Sequence, residues 1–246
     1  EVWPNTGINS SITRYSGSVG PDLNTWSHVS FTWDGTTPKL YINGVSVTFT
    51  TSTGSVTDNG EILAIGKSIT YSDLFVGKLD ELKIWKTALS ETHIRDWMCK
   101  KLTSSHPKST DLVSYFRFDE ASGDSLYNLA GTNHGKLTNM DTSTAWKVSG
   151  AAIGDSSIYT TSLPGLLDLS HMDGDKIRYS TAGSHDMVQL YLVNEPAINY
   201  ATSDPTRLKA DTSRHWGMFV SGSDGSTHIM SYYYNSNSNL SAYNEP

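Results

Sequence analysis

Hydrophobic and polar residues alternate over short runs in the first third of the chain, with the period of a half-buried β-strand. In the segment Val29-Ser30-Phe31-Thr32-Trp33, apolar side chains occupy every second position. The pattern predicts that these three apolar side chains face a core and that the residues between them face water. Asn43-Gly44, which favours a tight hairpin turn, follows the next apolar run. The sequence therefore predicts an antiparallel meander in this region.

Further along, the apolar runs at residues 61–66 and 74–85 predict two more strands, and residues 112–118 predict another. Between residues 85 and 112 the spacing of the apolar residues changes to that of a helix. Ser90 stands where an N-cap belongs, and apolar residues then recur at helical spacing as far as Leu102. Cys99 adjoins this apolar stripe, so we expect a packed and unreactive thiol.

From Asp155 onward the strands become shorter and more widely spaced. The predicted strands are at residues 158–160, 166–169, 176–179, 187–193, 215–221 and 227–234. Turn-forming pairs such as Asp173-Gly174 lie between them. The pattern predicts a second, smaller β-sandwich, with an Ig-like order of strands as one candidate.

Composition excludes several classes of protein. The 246 residues carry 18 Lys and Arg against 25 Asp and Glu, a formal charge of −7, and Lys and Arg form no dense cluster. This balance argues against nucleic acid as a partner, since such binding depends on clustered cations. Because the chain lacks a long apolar run, we expect no membrane insertion. The single cysteine excludes an internal disulfide and a cysteine-based zinc site.

Several motifs resemble a known family when taken together. They are Asn24-Thr25-Trp26-Ser27-His28-Val29, Trp33-Asp34-Gly35, Leu40-Tyr41-Ile42-Asn43-Gly44, Ile65-Gly66, and Phe75-Val76-Gly77-Lys78-Leu79-Asp80-Glu81-Leu82-Lys83-Ile84-Trp85. Their order and spacing resemble the C-terminal half of a laminin-G-like jelly roll of the concanavalin A-like lectin/glucanase superfold. The stretches LVSYFRFDEASG, from Leu112, and Asn128-Leu129-Ala130-Gly131 resemble the border of such domains in large secreted bacterial proteins.

The resemblance, together with the change in strand spacing after Asp155, predicts an all-β chain of two domains. We expect residues 1–154 to form a laminin-G-like jelly-roll β-sandwich that lacks its first strands, and residues 155–246 to form the smaller β-sandwich, itself truncated at its C-terminus. Because half a sandwich would expose its inner apolar face, we expect a larger parent protein.

No catalytic residues are predicted. The phosphate-loop, nucleophile-elbow and zinc-protease motifs are absent from the sequence. The superfold includes glucanases, which use two acids flanking one sugar bond. The adjacent pairs Asp80-Glu81 and Asp119-Glu120 are expected to point to opposite faces of a sheet, so neither pair could do so. Asp80 is expected to be held by structural hydrogen bonds.

Loop residues are the candidate binding sites. Relatives of this superfold hold calcium at a loop rim, and here Asp58 and Asn59 are the candidate ligands. The alternative is that these residues are solvated. Tyr71 and Asp73 combine an aromatic ring with a hydrogen-bonding group, as carbohydrate recognition requires. Tyr232-Tyr233-Tyr234 has the same composition, but alternation places at least one of its faces in a core.

The preferred hypothesis is a non-catalytic binding and spacer segment of a large bacterial adhesin. The sequence style resembles surface proteins of gliding or polymer-degrading Bacteroidota. The expected partners are glycans or extracellular matrix and other modules of the same polypeptide, and the expected location is the cell surface or the medium. Two alternatives are a carbohydrate-binding module attached to a secreted glycoside hydrolase and a purely structural stalk module.

Overall fold

The computed structural model describes residues 15–17, 21–51, 62–67, 74–162, 165–181, 183, 185–196, 213–222 and 228–233. Within these ranges the chain forms fifteen strands, two short α-helices and a 3-10 turn. Each of the paired strands is antiparallel to its neighbour, with two isolated bridges beside them. The predicted all-β class is therefore confirmed. No helix in these ranges has the length and apolar character that crossing a bilayer would require.

The strands are numbered in chain order. They are β1 (Tyr15–Gly17), β2 (Val29–Trp33), β3 (Pro38–Ile42), β4 (Val45–Val47), β5 (Phe49–Thr51), β6 (Leu82–Trp85), β7 (Leu112–Phe116), β8 (Ser125–Leu126), β9 (Gly135–Lys136), β10 (Ser156–Thr160), β11 (Gly165–Ser170), β12 (Lys176–Thr181), β13 (Met187–Val193), β14 (His215–Ser221) and β15 (Ile229–Tyr233). The helices are α1 (Glu91–Trp97) and α2 (Thr142–Ala145), and the 3-10 turn is Ser109–Asp111.

The chain divides into two compact units. The first comprises Glu1–Ile42, Ser46–Leu89 and Lys108–Ala151, and the second comprises Asn43–Val45, Ser90–Pro107 and Ala152–Pro246. Helix α1 therefore belongs to the second unit. The predicted division at residues 154 and 155 stays a prediction.

Strands β2, β3 and β4 form one sheet, and β6 pairs with β7 in another. Asn43 and Gly44 join β3 to β4 with φ angles of 53° and 75°. Two successive positive φ angles define the type I′ turn that an Asn-Gly pair favours. The predicted hairpin is therefore confirmed.

The side of β2 that faces the protein differs from the prediction. Val29 and Trp33 are 43% and 37% exposed, whereas Thr32 on the opposite face is buried. Alternation in the sequence tells which residues share a face, but it does not tell which face another element covers. The prediction that the apolar face of β2 is core was therefore wrong for these two side chains.

Two predicted strands are also shorter or absent. Residues 62–66 are not in a strand, and of the run from Leu74 to Trp85 only Leu82–Trp85 forms one. Glu81 adopts a φ of 54°, which breaks the extended backbone just before β6. Because Asp80 precedes this break, it does not share a strand face with Leu82. Its carboxylate accepts a hydrogen bond from Ser149 Oγ, as expected of a structural contact.

Helix α1 of the second unit begins as predicted. Ser90 Oγ accepts a hydrogen bond from the His93 backbone N–H at 3.2 Å. The helix ends at Trp97, five residues before the predicted end. Met98 and Cys99, just beyond it, are buried against Met187. Burial raises the pKa of the Cys99 thiol to about 12, which confirms a packed thiol that stays protonated at neutral pH.

The remainder of the second unit is a β-sandwich. One sheet has the order β10-β13-β14, and the other has the order β11-β12-β15. Buried residues of both sheets form one core: Leu167, Leu169, Ile177, Tyr179, Val188, Leu190 and Leu192. The predicted second sandwich is present, and its Ig-like character stays a prediction.

Strand β13 is the centre of this unit because both of its faces are covered. Leu190 faces the sandwich core, whereas Met187 packs in the cluster with Cys99. Gln189 is fully buried, and its Nε2 donates hydrogen bonds to Arg95 O and Ser157 Oγ, both at 3.1 Å. The donor group of this buried amide therefore has partners on both a helix and a strand, whereas its Oε1 has none among the described residues.

Candidate functional site

The four site residues predicted from the sequence cannot be placed. Asp58, Asn59, Tyr71 and Asp73 lie outside the described residues. Calcium binding and ligand binding at these positions therefore stay predictions. Among the residues that are described, no group of three or more His, Cys, Asp or Glu side chains is arranged to hold a metal ion.

The described part of the first unit contains a different candidate site, a cleft of about 550 Å³. The residues that line it come directly after strand β7 in the chain. Charged, hydroxyl and aromatic side chains line it together. The lining residues are Arg117, Asp119, Glu120, Ser122, Gly123, Asp124, Ser125, Tyr127 and Leu129. A polar cleft that also contains an aromatic ring is suited to a small hydrophilic ligand.

The backbone turns sharply where the cleft begins. Strand β7 ends at Phe116, and Phe118 and Ala121 both have positive φ angles, 59° and 62°. Asp119 and Glu120 therefore do not follow strand alternation, and both of them line the cleft. The expectation that these two carboxylates face opposite sides of a sheet was wrong, because positive φ at residues other than glycine cannot be read from the sequence pattern.

Beside the cleft lies a network centred on the Glu81 carboxylate, whose side chain is 11% exposed. Tyr115 Oη donates to both carboxylate oxygens, at 2.9 and 2.7 Å, and Lys83 Nζ lies 2.7 Å from Oε2. Arg117 Nε lies 3.5 Å from Glu81 Oε1, and Arg117 Nη2 lies 2.7 Å from Asp119 Oδ2. Glu81 and Asp119 thus hold Arg117 between them and fix its position in the cleft lining.

The far wall of the cleft is the hairpin of β8 and β9. Asp124 forms an ion pair with Lys136 across this hairpin at 3.0 Å, and this contact keeps the pKa of Asp124 below its ordinary value. Trp146 Nε1 donates a hydrogen bond to Gly123 O at 2.9 Å. These contacts order a wall that would otherwise be an exposed loop.

Asn128, which is buried, ties this wall to strand β7. Its Oδ1 accepts hydrogen bonds from the backbone N–H groups of Tyr115 at 2.9 Å and Ala130 at 3.0 Å. Its Nδ2 donates to Ser114 Oγ at 3.2 Å. The Asn128 side chain therefore has a structural role, because its amide joins two segments of backbone that do not pair as strands.

The aromatic and apolar surface of the cleft comes from the residues on either side of Asn128. Tyr127 and Leu129 are 54% and 58% exposed. The edge of the Tyr127 ring meets His134, with ring centroids 5.5 Å apart. Glu120 Oε1 accepts a hydrogen bond from the Tyr127 backbone N–H at 2.8 Å, which fixes the backbone that bears this ring. The cleft thus combines a positioned aromatic ring with hydrogen-bonding groups.

Tyr233 in the second unit is another exposed aromatic side chain that could contact a ligand. Tyr233 is exposed on the outer face of its sheet, whereas Tyr232 packs against the core, as alternation predicts. Lys176 Nζ and Arg178 Cζ lie 5.0 and 5.3 Å from the centre of the Tyr233 ring. The ring is therefore already in contact with two cations, and this face has less aromatic surface to offer a ligand than the cleft has.

The sequence contained one signal for the cleft. Most of the cleft residues lie in two stretches singled out by their resemblance to the border of laminin-G-like domains, Leu112 to Gly123 and Asn128 to Gly131. The ligand residues that the sequence predicts lie instead in the loops around residues 58 and 71. The cleft was not predicted because the positive φ angles of Phe118 and Ala121 cannot be read from the pattern, and because Glu81, which positions Arg117, is distant in sequence.

One comparison with known proteins yields a match. Residues 2–95 match the family model of the Concanavalin A-like lectin/glucanases superfamily, of the laminin G type. No curated protein matches the chain, and no solved structure matches it. The match supports the laminin-G-like resemblance for this part of the chain, which includes β2 to β6. The superfamily contains both binding proteins and glycosidases, so the match is equally compatible with either activity.

Proposed function

We propose that this chain is a saccharide-binding segment and that the cleft beside Tyr127 is its binding site. The observation that carries the proposal is the exposed Tyr127 ring in a cleft with Arg117, Asp119 and Glu120. Sugars offer apolar C–H faces that pack on an aromatic ring and hydroxyl groups that hydrogen-bond to charged side chains. The superfamily match over residues 2–95 supports the same ligand class, and β6 of that range pairs with β7 at the base of the cleft.

The wider role that we propose is adhesion without catalysis. In this proposal the chain belongs to an extracellular or cell-surface protein and contacts glycans or matrix, while its second sandwich spaces it from other modules. Calcium held by Asp58 and Asn59 is part of the proposal as an additional ligand. These statements rest on the resemblance of the sequence motifs.

The test is binding of the full chain to a panel of oligosaccharides, measured on an array and then by calorimetry. The Tyr127→Ala variant removes the ring, and Tyr233→Ala is the matched control because it removes an exposed tyrosine from the other unit. We expect Tyr127→Ala to weaken binding about tenfold and Tyr233→Ala to leave it within about twofold, since an aromatic contact is worth about 1 kcal/mol or somewhat more.

Two outcomes would contradict the proposal. If no saccharide binds the unaltered chain, with or without added calcium, the binding role is refuted and the structural stalk remains. If saccharides bind but the two tyrosine variants bind equally well, the site is elsewhere. Hydrolysis of a bound oligosaccharide over time would contradict the non-catalytic role alone.

A further inference from the structure

The carboxylates in and beside the cleft differ in how their charges are neutralised. Glu81 contacts Lys83 and Arg117, Asp119 contacts Arg117, and Asp124 contacts Lys136, at distances from 2.7 to 3.5 Å. Each of these three carboxylates therefore has a cation beside it. Their charges are largely matched within the protein, so they place little demand on a ligand.

Glu120 is the exception among the described residues of the cleft. Its Oε1 accepts one hydrogen bond, from the Tyr127 backbone N–H at 2.8 Å, and its Oε2 has no hydrogen-bond partner among the described residues. No described Lys, Arg or His forms an ion pair with it. An ionised carboxylate can accept about four hydrogen bonds, so most of this capacity is unused.

An unmatched, half-buried carboxylate favours a ligand that brings a donor with positive charge. Glu120 Oε2 has almost no exposed surface in this conformation. Because the terminal torsion of a glutamate is broad, we expect the carboxylate to turn toward a charged donor that enters the cleft. A charged donor forms a shorter and stronger hydrogen bond to a carboxylate than a neutral hydroxyl does. An acidic sugar would instead bring a second negative charge to this group.

We infer that Glu120 selects saccharides carrying a free, protonated amine, such as glucosamine oligomers, over neutral and acidic saccharides. This inference rests on the proposed function and makes it more specific. Tyr127 and Glu120 line the same cleft, and the Tyr127 backbone N–H donates a hydrogen bond to Glu120 Oε1. We therefore expect a sugar ring stacked on Tyr127 to bring its substituents within reach of Glu120.

The experiment compares three tetrasaccharides by calorimetry with the full chain: glucosamine, N-acetylglucosamine and galacturonic acid tetramers. The Glu120→Gln variant removes the charge and keeps an acceptor for the Tyr127 N–H. The matched control is Asp22→Asn, which makes the same change of charge at an exposed position of the first unit outside the cleft.

We expect the unaltered chain to bind the glucosamine tetramer about fivefold more tightly than the N-acetylated one, as for one partly solvated charge pair. Glu120→Gln should lower the ratio of the two affinities to about one, even where it weakens the binding of both tetramers, and Asp22→Asn should keep the fivefold ratio. Raising the pH from about 6 to about 9.5 should also remove the preference, because the amine of the ligand loses its proton over this range.

The inference and the proposed function fail in different ways. Equal affinity for the three tetramers, a preference for the acidic one, or a preference that survives Glu120→Gln would overturn the inference while leaving saccharide binding intact. Failure of every tetramer to bind, together with a negative oligosaccharide panel, would overturn the proposed function. A urea unfolding midpoint equal to that of Asp22→Asn shows that Glu120→Gln is folded.

Discussion

Acidification should destabilise the first unit through His28, which precedes β2. The pKa of His28 is lowered from 6.5 to about 4, first because the ring is buried and second because of the positive charge of Lys83. The folded protein therefore disfavours the protonated ring. Between about pH 6.5 and about pH 4 the unfolded chain binds a proton that the folded protein does not, so stability falls as the pH falls through this window.

The size of this loss of stability follows from the two pKa values of His28, 6.5 in the unfolded chain and about 4 in the folded protein. A tenfold change in proton affinity corresponds to about 1.4 kcal/mol, so His28 lowers the free energy of unfolding by up to about 3 kcal/mol between neutral pH and about pH 4. His28→Gln removes the titrating group. The difference between the two proteins isolates this contribution, because the carboxyl groups titrate in both.

The assay has two parts. Urea unfolding, followed by tryptophan fluorescence at about pH 7.5 and about pH 4.5, should show a smaller loss of stability in His28→Gln than in the unaltered chain. An NMR titration of the histidine rings measures the pKa directly. If the His28 ring titrates near 6.5 in the folded protein, or if both proteins lose equal stability, the reasoning from burial is refuted.

Three other predictions concern the second unit. Gly44→Ala should lower the free energy of unfolding by about 2 to 3 kcal/mol, as measured by urea titration. The reason is that the φ of Gly44 is 75° and the new Cβ would lie 2.9 Å from Met98 Sδ. An unchanged urea midpoint would contradict this prediction. Gly217→Ala should lower the free energy of unfolding by about 1 to 3 kcal/mol in the same measurement, since its Cβ would overlap the Tyr191 ring. An unchanged midpoint would show that the ring moves aside without loss of stability. Cys99 should react with a thiol reagent only after denaturant is added, because its pKa is about 12; fast reaction of the native chain at about pH 8 would show that the thiol is accessible.

Features that depend on neighbouring residues could be predicted from the sequence. The Asn43-Gly44 turn needs two positive φ angles, and few residue pairs other than this one tolerate them. The start of α1 depends on one hydroxyl, that of Ser90, three residues before the N–H that it accepts from. Such local preferences act before any tertiary contact forms, so the pattern alone was sufficient.

Features that depend on contacts between residues distant in sequence could not be predicted. Thr32 is buried and Trp33 is exposed because of what covers each face of β2, and the strand pattern is the same for either arrangement. Asp119 and Glu120 line one cleft because Phe118 and Ala121 adopt positive φ angles. Nothing in the side chains of those two residues favours this conformation, so tertiary contacts must hold it.

Because both faces of β13 are buried, this strand determines how the second unit unfolds. Neighbouring residues of this strand alternate between the sandwich core and the cluster behind it, so the strand cannot detach without opening both at once. Its amide protons should therefore exchange with deuterium only on complete unfolding of the unit, and those of α1, whose Arg95 carbonyl receives the Gln189 amide, should follow at a similar rate. Two assemblies of side chains that share one strand in this way lose their structure together.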